Sequence, residues 1–164
     1  MSAIAEILSD GRTVNGEYYQ GLMPHLESKL AEKGEHPDWR AFQIRPYSFK
    51  YGARKAAVLL NNCVSTTDMD GVQTNQQQIL LNFMIEAKTN DLTYQIKAAE
   101  FQNCIDRWIS CWAMNCFPCV ELIGEISGGF YYRQVQGKDS TASGAWWIGV
   151  ERIFVIQYEE VFDD

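Results

Sequence analysis

The feature that most constrains the fold is an alternating run at 73–88, which follows the turn signal Asp70-Gly71. Successive side chains of a strand point to opposite faces, so the run divides into two sets. One face is entirely apolar, with Ile79, Leu81, Phe83 and Ile85. The other face is mixed, with Gln78, Leu80, Asn82, Met84 and Glu86. Asp-Gly favours tight turns and the run at 56–64 supplies a partner, so we predict a hairpin whose apolar face meets a core.

The segment after this strand has the spacing of an amphipathic helix over 91–112. Its apolar residues recur at steps of four and three and form one stripe of Tyr94, Ala98, Phe101, Ile105, Trp108 and Trp112. The Asp91 carboxylate can accept from the free amides of the first turn, where the helix dipole also favours negative charge. Pro118 prevents the helix from continuing.

A second pair of strands is predicted after this helix. The run at 120–126 alternates apolar and polar residues, and 130–135, after Gly128-Gly129, either continues that strand or pairs with it. The segment 136–144 is small and polar, which predicts an exposed loop.

The last predicted strand, 145–162, is apolar at alternate positions, and Arg152 and Glu160 interrupt that face. Because this run exceeds ordinary strand length, we expect a bend or bulge near Gly149.

The N-terminal part predicts one or two helical turns and then a turn-rich loop within 1–16. Over 17–33, four-residue steps predict a helix with Tyr18, Leu22, Leu26 and Leu30 on one face. Pro24 fits near the first turn, which places the helix start around Gly21, and Gly34 ends the helix as a C-cap glycine.

The order helix, hairpin, helix, hairpin predicts a single α+β domain over 1–164. We expect a mostly antiparallel sheet with two main helices packed on one face. Within this domain, 1–16 is an N-terminal segment and 34–55 an irregular connector with a candidate short strand at 42–47. A length of 164 residues suffices for one core and leaves no room for a second domain.

Composition excludes several classes of protein. The net charge is −7, with 14 basic and 21 acidic residues, and no basic run indicates non-specific duplex binding. The first residues lack the pattern of a secretory signal, and no stretch approaches the roughly 20 apolar residues of a membrane helix. The lack of such a stretch leads us to expect no membrane partner. Because five cysteines are an odd number for a disulfide framework, we expect a reducing, cytosolic compartment.

Four of the five cysteines are spaced closely enough to be candidate metal ligands. Cys111, Cys116 and Cys119 match part of the plant-type iron–sulfur spacing, with Cys104 as a fourth candidate. No cysteine follows 119, however, and zinc would need two close pairs where only one exists. The CxxC pair follows a helix, where the dipole does not favour a thiolate. We therefore expect buried thiols, with no metal and no cofactor.

No catalytic arrangement is found in the sequence. Neither His25 nor His36 has metal-binding spacing, and no nucleophile elbow of the G-x-S-x-G type occurs. We place His25 at the surface or boundary of its helix. The strand carboxylates are best explained as a solvated sheet face, with Glu121, Glu125, Glu159 and Glu160.

Aromatic residues are clustered at Trp39, Tyr131-Tyr132 and Trp146-Trp147. They could form a stacking platform for sugars or bases, but a nucleic-acid platform would need basic residues alongside. Aromatic pairs on neighbouring strands more often serve packing or subunit contacts, which is the interpretation we favour.

Taken together, these elements resemble the tail terminator (tail completion) proteins of long-tailed bacteriophages and related neck and minor tail proteins. The resemblance is one of layout over 17–162 and involves no signature motif. It rests on the helix at 17–33, the strand at 78–88 ending in Thr89-Asn90-Asp91, the helix at 91–112, the Gly128-Gly129-Phe130 step and the last strand at 145–162.

The resemblance implies a structural virion protein rather than an enzyme, assembled in the host cytoplasm as a ring of copies, with six expected. Such a ring caps the tail tube, contacts the tail tube protein and the head–tail connector or neck protein, and lets DNA pass through its lumen without specific binding. An acidic chain is consistent with that passage. A closed ring needs two different patches on each subunit. The polar loops 65–75 and 136–144 are the candidates, so we predict Asp68, Asp70, Gln73, Lys138 and Asp139 at subunit or partner contacts.

Three alternatives stay open at the level of sequence. The chain could be another neck or minor tail component, or a metal-bound protein that uses its cysteines. It could also be a small ligand-binding or enzymatic α+β domain whose pocket is lined by Trp39, Tyr131 and Trp147.

Overall fold

A computed structural model describes residues 2–34, 38–41, 55–87, 92–134 and 146–161. These residues form a mostly antiparallel six-stranded sheet, a separate two-stranded hairpin, and two main helices packed on one face of the sheet. The predicted α+β class is therefore confirmed. The Asp91 cap and the candidate strand at 42–47 lie outside the described residues.

The chain begins with α1 (Ala3–Ala5), which continues as a π-helical turn over Glu6–Asp10. A small hairpin of β1 (Arg12–Val14) and β2 (Glu17–Tyr19) leads into α2 (Leu22–Ala31). The main sheet comprises β3 (Asp38–Ala41), β4 (Lys55–Thr67), β5 (Val72–Ala87), β6 (Val120–Ser127), β7 (Phe130–Gln134) and β8 (Trp146–Val161). Between β5 and β6 lies α3 (Leu92–Cys111), which continues as a π-helical turn over Trp112–Cys116.

The two longest strands, β5 and β8, form the centre of the sheet, whose order is β3-β4-β5-β8-β6. They pair without interruption from Val72 opposite Val161 to Ala87 opposite Trp146. Strands β6 and β7 lie end to end along the other side of β8, and β3 runs parallel to the start of β4. The β4–β5 turn and the paired ends of β7 and β8 therefore lie at opposite ends of the sheet.

The bend expected near Gly149 is wrong, because β8 pairs regularly with β5 along its whole length. The irregularities lie in neighbouring strands, where pairing shifts after Leu60 of β4 and after Ile123 of β6. Gly149 is instead a site of close packing. The ring of Tyr131 occupies the space that a Cβ at Gly149 would need.

Helix α2 begins at Leu22 with Gly21 as its N-cap, which confirms the start expected from Pro24, while 17–19 of the predicted helical run form the second strand of a hairpin. Asn15 (φ 52) and Gly16 (φ 82) form a tight turn that pairs Val14 with Glu17. Tyr18 is consequently exposed on β2 and does not belong to the helix face. Pro24 does lie in the first turn of α2, where its missing amide proton breaks no helical hydrogen bond.

The helices cover the face of the sheet that carries Ile79, Leu81 and Phe83, as predicted. The rings of Phe83 and Phe101 meet edge to face at 5.3 Å, which places α3 directly on β5. Fully buried side chains come from all layers of the core: Ile7, Leu22, Leu26, Ile79, Leu81, Ile105, Ile109, Trp112, Ile148, Phe154 and Ile156.

Arg152, which interrupts the apolar face of β8, is buried with 3% of its surface exposed. Its guanidinium binds Asp106 of α3 at two points, Nε to Oδ1 at 2.7 Å and Nη2 to Oδ2 at 2.8 Å. It also donates to the carbonyls of Gly128 at 3.0 Å and Ile126 at 3.2 Å. One side chain thus connects α3, β8 and the junction between β6 and β7.

The N-terminal hairpin is attached to the end of α3. The indole Nε1 of Trp112 donates to the carbonyl of Gln20 at 2.9 Å. The guanidinium of Arg12 lies 5.1 Å from the centre of the Phe117 ring, and its Nε forms an ion pair with Glu6 at 2.7 Å. These contacts hold α1, the hairpin and α2 against the main helix.

Candidate interaction surfaces

The turn between β4 and β5 carries two predicted contact residues, Asp68 and Asp70, and its shape depends on Asp68. Its Oδ1 accepts from the backbone amides of Asp70 and Val72, each at 2.9 Å. The amide of Asp68 in turn donates to the carbonyl of Val72 at 3.0 Å. Asp68 therefore maintains the turn, while Met69 and Asp70 are exposed at its tip.

Next to this tip, the face of β5 that carries Ile79 and Leu81 further along the strand bears polar residues instead. Asn75 is buried, and its Oδ1 accepts from Ser65 Oγ at 2.6 Å and from Gln73 Nε2 at 2.8 Å. Gln73, the third predicted contact residue, thus directs its amide group towards Asn75. Buried polar atoms require partners, and this network supplies them within the hairpin itself.

A bulge separates this hairpin end from the rest of β4. Leu60 lies opposite Ile79, but Cys63 lies opposite Gln77, so β4 has one extra residue. The buried Gln77 donates from Nε2 to the carbonyl of Asn61 at 2.7 Å and so stabilises the bulge. Beyond it, 63–67 pairs regularly with β5.

Tyr158 lies on β8 opposite Asn75, beside the same network. Burial raises the pKa of its phenol above the ordinary value, and the neighbouring Cys63 and Glu160 raise it further. A hydrogen bond with Asn75 acts in the opposite direction and only reduces the increase. Burial beside this network thus favours the protonated phenol.

The other two predicted contact residues, Lys138 and Asp139, lie outside the described residues. The strands on either side of them meet where Gln134 pairs with Trp146. That point lies at the end of the sheet remote from Asp68, because Trp146 also pairs with Ala87 at the end of β5. The 16 residues of β5, at about 3.3 Å each, separate the two ends by roughly 50 Å. The described ends of β7 and β8 are therefore remote from the hairpin tip.

The two long edges of the sheet differ in charge and regularity. On β4, every residue at 60–67 is exposed, and 59–67 contains no charged side chain. On β6, Glu121 and Glu125 are exposed, and Gly124 interrupts the pairing with a positive φ of 73°. Charges and bulges are the usual protection of a free edge against pairing with another chain. The sequence contains a signal for this difference, the uncharged run at 59–67, but the alternation of apolar and polar residues does not reveal it.

The aromatic residues do not form one platform. Tyr131 lies over Gly149 on the face away from the helices, where its hydroxyl accepts from Asn82 Nδ2 at 2.6 Å and contacts Met84 Sδ at 3.3 Å. Tyr132 points to the opposite face, because neighbouring residues of a strand alternate. Trp39 is on β3, four strand spacings or about 19 Å from β7 across the sheet. The backbone thus separates Trp39 from the other two residues predicted to line a pocket, whereas Tyr131 and Trp147 lie on the paired strands β7 and β8.

The expectation of buried thiols was made for Cys104, Cys111, Cys116 and Cys119, and it is wrong for Cys111 and Cys119. Cys63, Cys111 and Cys119 are exposed, and Cys104 and Cys116 are partly buried. All five are free thiols. Within the described part of the chain, no group of three or more His, Cys, Asp or Glu side chains could hold a metal ion.

His25 lies at the boundary of α2, as predicted, with its Nε2 buried and unpaired among the described residues. Burial lowers the pKa of its imidazole below 6.5, and the charge of Lys29 lowers it further. Glu32 opposes the shift. Of the strand carboxylates, Glu121, Glu125 and Glu159 are exposed, whereas Glu160 accepts from the amide of Ala3 at 3.1 Å.

Neither protein-family models nor the curated proteins give a match to this chain. Among the described residues, no helix has both the length and the apolar character required to cross a membrane.

Proposed function

We propose that this chain is a structural subunit of the tail terminator type. Copies of it, six in number, would form a ring that caps the tail tube of a long-tailed bacteriophage and joins it to the head–tail connector. In this role the protein has no active site, and the place of action is the virion.

The observation that carries this proposal is the distance between the hairpin tip and the described ends of β7 and β8, the strands that flank the second candidate contact region. A closed ring requires a heterologous interface, in which two different patches of each subunit meet. The hairpin tip with Asp68, Asp70 and Gln73 lies at one end of the sheet, and the strands that lead to Lys138 and Asp139 end at the other. A subunit with one patch at each end is suited to head-to-tail contacts or to contacts with two different partners.

A pocket-based function receives less support from the described residues. The Tyr131 ring packs on its own sheet at Gly149, and its hydroxyl bonds within the protein, which is typical of a structural aromatic residue. Another neck or minor tail component would use the same two regions and would differ in the partner bound. The partner is therefore what an experiment must identify.

The test measures capping of tubes polymerised from the tail tube protein of the same phage. We expect light scattering to show a ring of six 18.8 kDa chains, about 110 kDa in all, either alone or on tube ends. The variant Asp70→Lys places a positive charge at the tip and should weaken tube binding about tenfold or more. Glu125→Lys makes the same change of charge at an exposed site on β6 and should bind normally.

Two results would contradict the proposal. One is a chain that remains monomeric with and without tubes. The other is binding that Asp70→Lys and Glu125→Lys affect equally, since the hairpin tip would then have no special part in the contact.

A further inference from the structure

We propose that Cys104 and Lys33 form a self-acylation site, in which Cys104 accepts an acyl group from a small-molecule thioester and passes it to the Lys33 amine. Nζ of Lys33, just after the end of α2, lies 3.5 Å from Sγ of Cys104 in α3. The two residues are 71 positions apart in the chain, so the packing of α2 on α3 brings them together. We call them the thiol–amine pair. The inference does not depend on the proposed ring, because it concerns the chemistry of a single chain.

Both ends of the Lys33 residue are held in place. Its backbone amide donates to the carbonyl of Leu30 at 2.9 Å, and Leu30 is itself buried in the core. Its ammonium lies 5.7 Å from the centre of the Trp108 ring, which is within the range of a cation–π attraction. Trp108 is four residues beyond Cys104 in α3 and therefore on the same face of the helix. The ring thus retains the lysine head group beside the thiol.

The two groups differ in reactivity, and this difference sets the order of the reaction. Lys33 is exposed, and Cys104 is a partly buried free thiol, so a small molecule can approach the pair from solvent. Cysteine is the stronger nucleophile near neutral pH, which makes Cys104 the first acceptor of an acyl group. A thioester is an activated acyl group and an amide is not, so transfer from the thiol to the amine proceeds towards the amide.

The transfer has two steps and needs no oxidant or reductant. In the first, the Cys104 thiol loses its proton to water and attacks the carbonyl carbon of the donor. A carbon–sulfur bond to Cys104 forms, the bond to the donor sulfur breaks, and the donor thiolate leaves and takes up a proton. In the second, the neutral Lys33 amine, whose extra proton has gone to water, attacks the same carbon. The carbon–nitrogen bond forms, the bond to Sγ breaks, and the Cys104 thiolate takes up the proton that the nitrogen releases.

Proximity is what favours Lys33 over other lysines. Reacting atoms held about 3–3.5 Å apart are in near-attack geometry, and a bimolecular step then becomes effectively unimolecular. An acyl carbon bonded to Sγ lies within this reach of the Lys33 amine, which is 3.5 Å from the sulfur itself. Within the part of the chain that the structure describes, Lys29 and Lys97 have no thiol in hydrogen-bonding range. They can react only with a donor that arrives from solution.

The first experiment is incubation of the full chain with acetyl-coenzyme A, followed by mass spectrometry of its peptides. We expect Lys33 to be acetylated about tenfold or more faster than Lys29 and Lys97. Cys104→Ser should reduce the rate at Lys33 to that of the other two lysines. Cys111→Ser removes an exposed thiol from the same helix and should leave the rate unchanged. Both variants should keep the wild-type circular dichroism spectrum, because serine is close to cysteine in size.

The second experiment traps the intermediate. Lys33→Arg keeps the positive charge but removes the attacking amine, so the acetyl group should remain on Cys104 as a thioester. Neutral hydroxylamine should release this group, whereas it leaves an acetylated lysine intact. Lys29→Arg is the matched control one helical turn earlier, and it should acetylate Lys33 as the wild-type chain does. Because Lys33 is exposed, its replacement should not alter the fold.

Three outcomes would each overturn the inference. One is acetylation of Lys33 at the rate of Lys29 and Lys97 in the wild-type chain, as a non-selective reaction of exposed lysines would give. Another is an equal effect of Cys104→Ser and Cys111→Ser. The third is the lack of a hydroxylamine-sensitive acetyl group on Cys104 in Lys33→Arg. Failure here is distinguishable from failure of the proposed function, because acetylation is measured on the chain alone and the ring is measured by its size and its binding to tubes.

Discussion

The middle and the hairpin end of the sheet are built from the same strands, yet they are stabilised in different ways. In the middle, β5 and β8 are covered by α3, and the polar exception Arg152 is neutralised by Asp106 at 2.7 Å. At the hairpin end, Asn75 and Gln77 are buried among side chains and carbonyls of the hairpin itself. Buried apolar packing is therefore concentrated where the helices lie on the sheet. The exposed end is then available for contacts whose alteration does not unfold the chain.

The largest expected effect is in the middle of the sheet. Asp106→Ala leaves the Arg152 guanidinium buried without its counter-charge, which should lower the free energy of unfolding by about 3–5 kcal/mol. Arg107→Ala removes a neighbouring exposed charge on the same helix and should cost less than about 0.5 kcal/mol. Urea unfolding of both variants measures the difference. Equal losses would mean that Arg152 does not fix α3 over the sheet.

The next effect concerns the face away from the helices. A Cβ at Gly149 would collide with the Tyr131 ring, so Gly149→Ala should cost about 1–3 kcal/mol of stability. Gly129→Ala, where a Cβ meets open space, is the control and should be nearly neutral. In a double-mutant cycle with Tyr131→Ala, the cost of Gly149→Ala should largely disappear. Additive costs would show that the ring does not pack there.

The sequence predicted the middle of the molecule well, for a physical reason. Burial of one face imposes a period of two on β5 and of 3.6 on α3, so both elements could be recognised, as could the apolar face of Ile79 and Leu81. Arg152 was correctly identified as an interruption. Its partner was not, because the alternation of β8 says nothing about which helical residue lies above it.

The predictions from sequence were wrong where tertiary contacts or local turns outweigh the periodic pattern of apolar residues. The glycine favoured a bend at Gly149, but the ring of Tyr131 on the preceding strand β7 packs against it there. Asn15-Gly16 is a strong turn signal, yet the four-residue spacing places Tyr18, just after it, on the helix rather than on the second strand of a hairpin. At the candidate contact site, the tip residues could be located from their turn chemistry. The exposed edge of β4 beside them could not, because strand order is a property of the whole sheet.

A smaller effect is expected at the hairpin end. Gln77→Ala removes the donor to the carbonyl of Asn61 and should cost about 1 kcal/mol. Gln76→Ala removes an exposed side chain from the opposite face and should cost less. The sharper readout is amide hydrogen exchange, which should become faster at 61–65 in the first variant and stay unchanged in α3. Faster exchange throughout the molecule would mean that the two regions are not energetically separate.

The smallest effect is a pH dependence in the helical layer, through His25. Burial, and then Lys29, lower the pKa of this imidazole in the folded chain below its unfolded value of 6.5. The unfolded chain therefore binds the proton first as the pH falls, so stability is highest above 6.5 and decreases from there down to the folded pKa. His25→Gln should remove this part of the slope, measured by urea unfolding between pH 5 and 7 in about half-unit steps.

Two neighbouring substitutions separate the causes of that shift. Lys29→Met removes a repulsive charge, so the pKa of His25 should rise towards 6.5 and the slope should diminish. Glu32→Gln removes the opposing carboxylate, so the pKa should fall further and the slope should extend to lower pH. Titration of the imidazole by NMR measures both shifts. If all three substitutions left the slope unchanged, the acid sensitivity would belong to other groups.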